Sequence, residues 1–181
     1  MKETKKIFKF WFGWNIEKVE KWLEKKGEKG WDLVSIGFAG LWFTFEKVEQ
    51  LKKTYSIDFQ MSPKDDYFQL YKDAGWELVS KGSGWYYWSQ EYEGQKPESF
   101  TDIDSLVERL RRQIRFLAII WVIQIPNYLF ITRRIREGSG TFYKTIFVII
   151  LVFLILMTTA MIKFIWETNK LKRKKDGISG S

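Results

Sequence analysis

The side chains able to do chemistry in this 181-residue chain are carboxylates, lysines, tyrosines and serines; histidine and cysteine are both absent. Without histidine the chain lacks the commonest metal ligand and the only side chain that titrates near neutrality when unperturbed. Without cysteine it lacks a thiolate nucleophile and any disulfide. Asp58, within TYSIDFQ, would suit a general base if burial raised its pKa, but strand alternation reads it as solvent-facing. Asp65 and Asp66 stand where a helix begins, and negative charge there complements the helix dipole. Neither GSG triplet, at 82–84 or 138–140, has the spacing of a phosphate-cradling loop. The first reads as a hairpin turn and the second as a hydrophilic loop. We therefore expect no catalytic residue, no metal and no cofactor, and a protein that is not an enzyme.

The other polar residues in an informative place are Gln124, Pro126 and Asn127, which interrupt the apolar run FLAIIWVIQIPNYLFIT (116–132). A second run, TIFVIILVFLILMTTAMIKFIW (145–166), contains 14 Ile, Leu, Val or Phe residues and one charge, Lys163. Each such apolar residue favours insertion by roughly 0.3–0.6 kcal/mol, and about 20 residues cross a hydrocarbon core. Lys163 can snorkel to the interface and Trp166 can anchor there. Both runs read as spans, with Pro126 kinking the first and its amides turned toward the second, because unpaired amides are costly in lipid.

Charge supports the same reading. Residues 1–100 balance 16 lysines against 16 acidic residues, whereas 101–181 carry 14 Lys plus Arg against 6 Asp plus Glu. The whole excess of +8 therefore borders the apolar runs, which argues for membrane topology rather than nucleic acid. Arg109, Arg111, Arg112 and Arg115 precede the first run, and Lys172, Arg173, Lys174 and Lys175 follow the second. Fewer cations (Arg133, Arg134, Arg136, Lys144) occupy the connecting loop, so both termini are expected in the cytoplasm of a two-span hairpin in the cell membrane. IFKFWFGW carries Lys9 and runs into a charged helix, so it reads as a strand and not as a signal peptide.

The elements ahead of the spans come in two copies. GWDLVS (Gly30, Trp31, Leu33) returns 45 residues later as GWELVS (Gly75, Trp76, Leu78). KIFKFWFG alternates as a strand; Asn15 caps a helix with an Ile16, Val19, Trp22, Leu23 stripe; WDLVSIGF and LWFTFEK follow across a turn at Ala39–Gly40. The second copy runs TYSIDFQ, a helix capped by Ser62 with Pro63 at its first position, WELVSK, and WYYWSQE. The expected fold is α+β: two strand–helix–strand–strand repeats (7–47 and 54–91) sharing a mainly antiparallel sheet with helices on one face. Next come a linker and an amphipathic helix (92–113), whose continuity with the first span is left open. The transmembrane hairpin (114–166) and a basic disordered tail (167–181) complete the chain. Trp31 and Trp76 read as mainly structural. If Phe8, Phe10, Phe12, Leu41, Phe43, Phe45, Ile57, Phe59, Trp85 and Tyr87 face the helices, then Trp11, Trp42, Tyr86 and Trp88 form an open aromatic face.

These motifs (GWDLVS, GLWFTFEK, YSIDF, AGWELVS, GWYYW, then two hydrophobic helices) resemble an uncharacterised family of small bacterial membrane proteins. That family carries a domain of unknown function, is typical of Gram-positive bacteria and is often encoded beside PadR-type regulators. The resemblance implies a regulatory or envelope-related setting and no reaction. From the residues, the expectation is a membrane-anchored cytoplasmic module that engages a protein partner or apolar ligand, or self-associates, and contacts membrane lipid. The alternative is a small accessory or immunity-type subunit acting through its hairpin.

Overall fold

The computed structural model describes residues 3–37, 40–97, 103–138 and 140–179. Ala39 of the expected turn, linker residues 98–102, Ser139 and the last two residues lie outside these. The chain divides into two units, one through Ser105 and one from Leu106.

In the first unit, the first repeat comprises β1 (Thr4–Phe8), a 3-10 turn (Gly13–Asn15), α1 (Ile16–Gly27), β2 (Trp31–Gly37) and β3 (Trp42–Lys47). The second comprises β4 (Lys53–Phe59), α2 (Asp65–Asp73), β5 (Glu77–Gly82) and β6 (Trp85–Glu91). The fold is α+β, and each repeat builds its own antiparallel three-stranded sheet, ordered β1-β3-β2 and β4-β6-β5. What the repeats share is a seam and a core rather than one continuous ladder. At the seam, the Ile36 amide on β2 donates to Ser80 Oγ on β5 at 3.1 Å.

The matched hexapeptides explain the matched geometry. Gly30 and Gly75 both have positive φ, 71° and 80°, a left-handed conformation that reverses the chain off a helix end and strains any residue with a Cβ. Each following strand then slips register at the same place, between Leu33 and Ser35 in β2 and between Leu78 and Ser80 in β5. A bulge at each LVS adds twist to the strand that borders the seam.

The shared core joins Ile16, Val19 and Leu23 of α1 to Leu33, Phe43 and Phe45 of the first sheet and to Tyr55, Ile57 and Tyr87 of the second. The other face of the second sheet is covered by α2, through Tyr71, Trp76 and Trp88. Helices therefore lie on both faces of the second sheet, not on one face of a common sheet. That is why every residue of β4 is buried, including Asp58, which strand alternation had placed in solvent. Asp58 accepts a hydrogen bond from Gln60 Nε2. The α2 helix starts at Asp65 after an extended Lys64, so Ser62 and Pro63 precede it, and Asp65 and Asp66 occupy its first turn. Asn15 takes the N-cap position of α1 without a side-chain capping bond.

As the edge strand of its sheet, β4 has open backbone donors on one side, and α1 sets two carboxylates against the strand, one on a backbone amide and one on a side-chain hydroxyl. Glu20 Oε1 accepts from the buried Ile57 amide at 2.8 Å, and Glu24 Oε1 accepts from Thr54 Oγ1 at 2.9 Å. Lys53, beside them, donates to both oxygens of Asp32 at 3.0 Å. Glu20→Ala removes the acceptor of a buried N–H and should cost about 1–3 kcal/mol. Glu20→Gln keeps an acceptor oxygen and should cost much less, which urea titration of the two variants compares directly.

The second unit holds all but the first three residues of α3 (Ile103–Arg136) and the whole of α4 (Thr141–Ser179), both continuous helices. The amphipathic segment 103–113 thus runs straight into the apolar run, and α3 passes through Pro126 without a break. The α4 helix continues past Trp166, so the basic stretch 167–179 is helical where disorder was expected. Its polar residues favour water but do not oppose helix, since Lys, Arg and Glu are good helix formers. The apolar windows of α3 and α4 have mean hydropathy 1.7 and 2.9, and each is only 6% buried. A core helix of a soluble protein would be covered. These two helices are long and apolar enough to cross a membrane and present their apolar surface outward.

Candidate functional site

The sequence singled out Trp11, Trp42, Tyr86 and Trp88 as one open aromatic face, and the structure separates them. Trp88 is completely buried, its ring stacked on Tyr71 at 4.3 Å and its Nε1 donating to Tyr67 Oη at 3.1 Å. Tyr86 is half-buried beside Tyr67 and Phe68. Trp11 is half-buried too, donating from Nε1 to the Gly40 carbonyl at 2.7 Å, with its ring against Trp85 at 4.7 Å. Only Trp42 is open, at 45% exposure.

The aromatic surface that does exist was missed. Phe8, Phe10 and Phe12 are 54%, 61% and 43% exposed. Phe8 packs edge-on to Trp42 at 5.3 Å, Phe10 against Phe12 at 4.8 Å, and Phe12 stacks on Trp14 at 4.4 Å. Together they form a strip along β1 and its continuation. The phase of β1 is therefore opposite to the expected one. Ile7 pairs with Phe43 and Lys5 with Phe45, both inward, while Phe8 pairs with Trp42 outward. The usable signal lay in β3: with Phe43 and Phe45 fixed inward, their cross-strand partners must follow them.

The buried tyrosine hydroxyls of the head are not activated. Burial pushes the hydroxyls of Tyr55, Tyr67 and Tyr87 well above the ordinary tyrosine range. Tyr55 donates to Asp32 Oδ1 at 3.2 Å. All three stay protonated at neutral pH, so none is an activated nucleophile. Among the described residues no group of acidic side chains has the arrangement to hold a metal ion.

Within the second unit, Trp121, Gln124, Ile125, Tyr128 and Leu154 line a cavity of about 200 Å³ between α3 and α4. Trp121 Nε1 donates across the pair to Thr158 Oγ1 at 3.3 Å, and Tyr128 meets Phe147 at 5.7 Å. Gln124 thus faces α4 as expected. Asn127 is exposed instead, its Nδ2 donating back to Gln124 Oε1 at 3.3 Å. Of the basic residues read as setting topology, Arg109 is buried; Arg111 and Arg115 pair with Glu108 and Arg112 is half-buried. Lys172, Arg173, Lys174 and Lys175 are exposed on the last turns of α4.

A duplicated α+β head followed by two helices that can span a bilayer defines a candidate two-span membrane protein. A family model described as Protein of unknown function (DUF2812) matches residues 15–122, more than half of the chain, and the chain belongs to that family. The match begins just before α1 and ends inside α3, so it leaves out β1 but takes in the first repeat from α1 onward, the second repeat and the start of the first apolar helix. No curated protein and no solved structure matches the chain.

Proposed function

We propose that this protein is a membrane-anchored, non-catalytic module whose cytoplasmic head binds a protein partner through the strip formed by Phe8, Phe10, Phe12 and Trp42. The observation that carries this reading is four large aromatic side chains left 43–61% exposed on a head that buries Trp88, Tyr87 and Tyr55 almost completely. Contiguous aromatic surface of this kind suits a protein interface, where aromatics are enriched and polar residues form the rim. Cytoplasmic placement rests on the excess of Arg and Lys on the terminal side of the helix pair. The regulatory setting implied by the family resemblance is part of the same proposal.

Changing Phe8, Phe10 and Trp42 together to Ser should abolish partner capture from native membranes. The far-ultraviolet circular dichroism of the head should stay unchanged, because the replaced side chains are exposed. Identical partners recovered with wild type and variant would remove the strip from consideration. The second reading, an accessory or immunity-type subunit acting in the bilayer, is favoured by the Gln124-lined cavity between α3 and α4. Deleting residues 1–100 separates the two, because only the second allows activity to survive.

A further inference from the structure

Opposite the aromatic strip, on the inward side of β1, four lysines from four places in the chain gather around two tryptophans. Lys5 Nζ lies 3.4 Å from the centre of the Trp31 ring, and Lys47 Nζ lies 4.8 Å from the same ring. Lys9 and Lys26 stand over Trp22, at 4.6 and 5.7 Å. Trp22, on α1, is itself wedged edge-on against Phe43 and Phe45, so its ring packs against the first sheet. Lys5 belongs to β1, Lys9 follows it, Lys26 is in the last turn of α1 and Lys47 ends β3.

Among the described residues none of these four ammonium groups makes an ion pair. Elsewhere in the head the pattern differs, since Lys53 meets Asp32 and Lys96 meets Glu24. The negative end of the α1 dipole accounts for Lys26, but not for three lysines arriving from strands and a connection. Contact with an aromatic face contributes only about 0.5–1 kcal/mol at exposed sites, and it does nothing for the repulsion among the cations. Burial first, then Lys26 and Lys47, hold the Lys5 amine below the usual lysine value, against a smaller opposing pull from Glu3. A head with balanced overall charge thus concentrates positive potential around these two rings.

We propose that Lys5, Lys9, Lys26 and Lys47, braced by Trp22 and Trp31, form a binding site for a phosphate-bearing anion. Such an anion neutralises several ammonium groups at once and accepts hydrogen bonds from each. Phosphate chemistry of this kind is offered by a soluble phosphate compound and by an anionic lipid headgroup. The site is separate from the aromatic strip and does not depend on the partner proposed for it.

Lysine acylation rates, read residue by residue by mass spectrometry on the full chain, test the site. One arm adds sodium pyrophosphate to protein in neutral detergent, against sodium chloride at equal ionic strength. The other compares nanodiscs of phosphatidylcholine alone with nanodiscs containing phosphatidylglycerol. We expect acylation of Lys5, Lys9, Lys26 and Lys47 to slow at least threefold relative to the exposed Lys18 and Lys72. Slowing by pyrophosphate identifies a soluble phosphate ligand; slowing only in the anionic nanodiscs identifies a lipid headgroup. Equal effects on all lysines, or none on these four, in both arms overturn the proposal. The Lys5→Gln, Lys47→Gln double variant adds a second readout. Relieving repulsion should leave the melting temperature of the head equal or higher while anion protection at Lys9 and Lys26 disappears. A lower melting temperature with protection intact would mark the lysines as structural and overturn the site as well.

Discussion

Trp88→Ala is expected to destabilise the head by about 3–5 kcal/mol, the range for deleting a fully buried aromatic side chain. Trp88 has no exposed surface, its ring stacks on Tyr71, and its indole N–H satisfies Tyr67. Removing it opens a cavity and leaves the Tyr67 hydroxyl, half-buried beside it, without that donor. Trp42→Ala is the internal control. Its ring is 45% exposed and touches mainly Phe8, so the loss should stay below about 1 kcal/mol. Guanidinium unfolding of the two variants, followed by near-ultraviolet circular dichroism, gives the comparison. Equal losses would mean that the second core is not packed as described.

The second large effect separates the two copies of the repeat. Gly30→Ala and Gly75→Ala both place a Cβ on left-handed backbone, which costs on the order of 1–2 kcal/mol. Their surroundings differ. A Cβ at Gly30 would come within 2.7 Å of the Val48 carbonyl oxygen, which is backbone and is placed by the Val48 amide's own bond to the Gly30 carbonyl. At Gly75 the atom met at 2.7 Å is Gln90 Nε2, the end of a flexible side chain that can swing away. Gly30→Ala should therefore cost about 3 kcal/mol or more, and Gly75→Ala only the conformational strain. Thermal unfolding of both variants should show Gly30→Ala melting well below Gly75→Ala. The reverse order would contradict the packing of Gly30 against the β3–β4 connection.

Much of the fold was legible because the chain repeats itself. Gly30 and Gly75 marked helix ends, the strand–helix–strand–strand order followed in both copies, and the two apolar runs announced α3 and α4. The site was less legible, for a physical reason. Alternation along KIFKFWFG shows that side chains change sides but not which side is inside; that is decided by the neighbouring strand. Once Phe43 and Phe45 point inward, Ile7 must join them and Phe8 must point out. Trp88 was misplaced for a related reason. The sequence does not say that α1 of the first repeat packs along β4 of the second, nor that α2 covers the far side of that sheet. A sheet clothed on both faces has no open face, and its aromatics are interior whichever way they point.

The carboxylates of α1 that occupy the edge of β4 have a consequence for biogenesis. Residues 16–27 leave the ribosome before residues 53–59, so the guard exists before the strand it protects. Nascent β4 need never wait beside another copy with its amides bare, the moment at which edge-to-edge aggregation begins. A rearranged gene that moved the first repeat behind the second would keep the residues of α1 and β4 and lose this order of arrival.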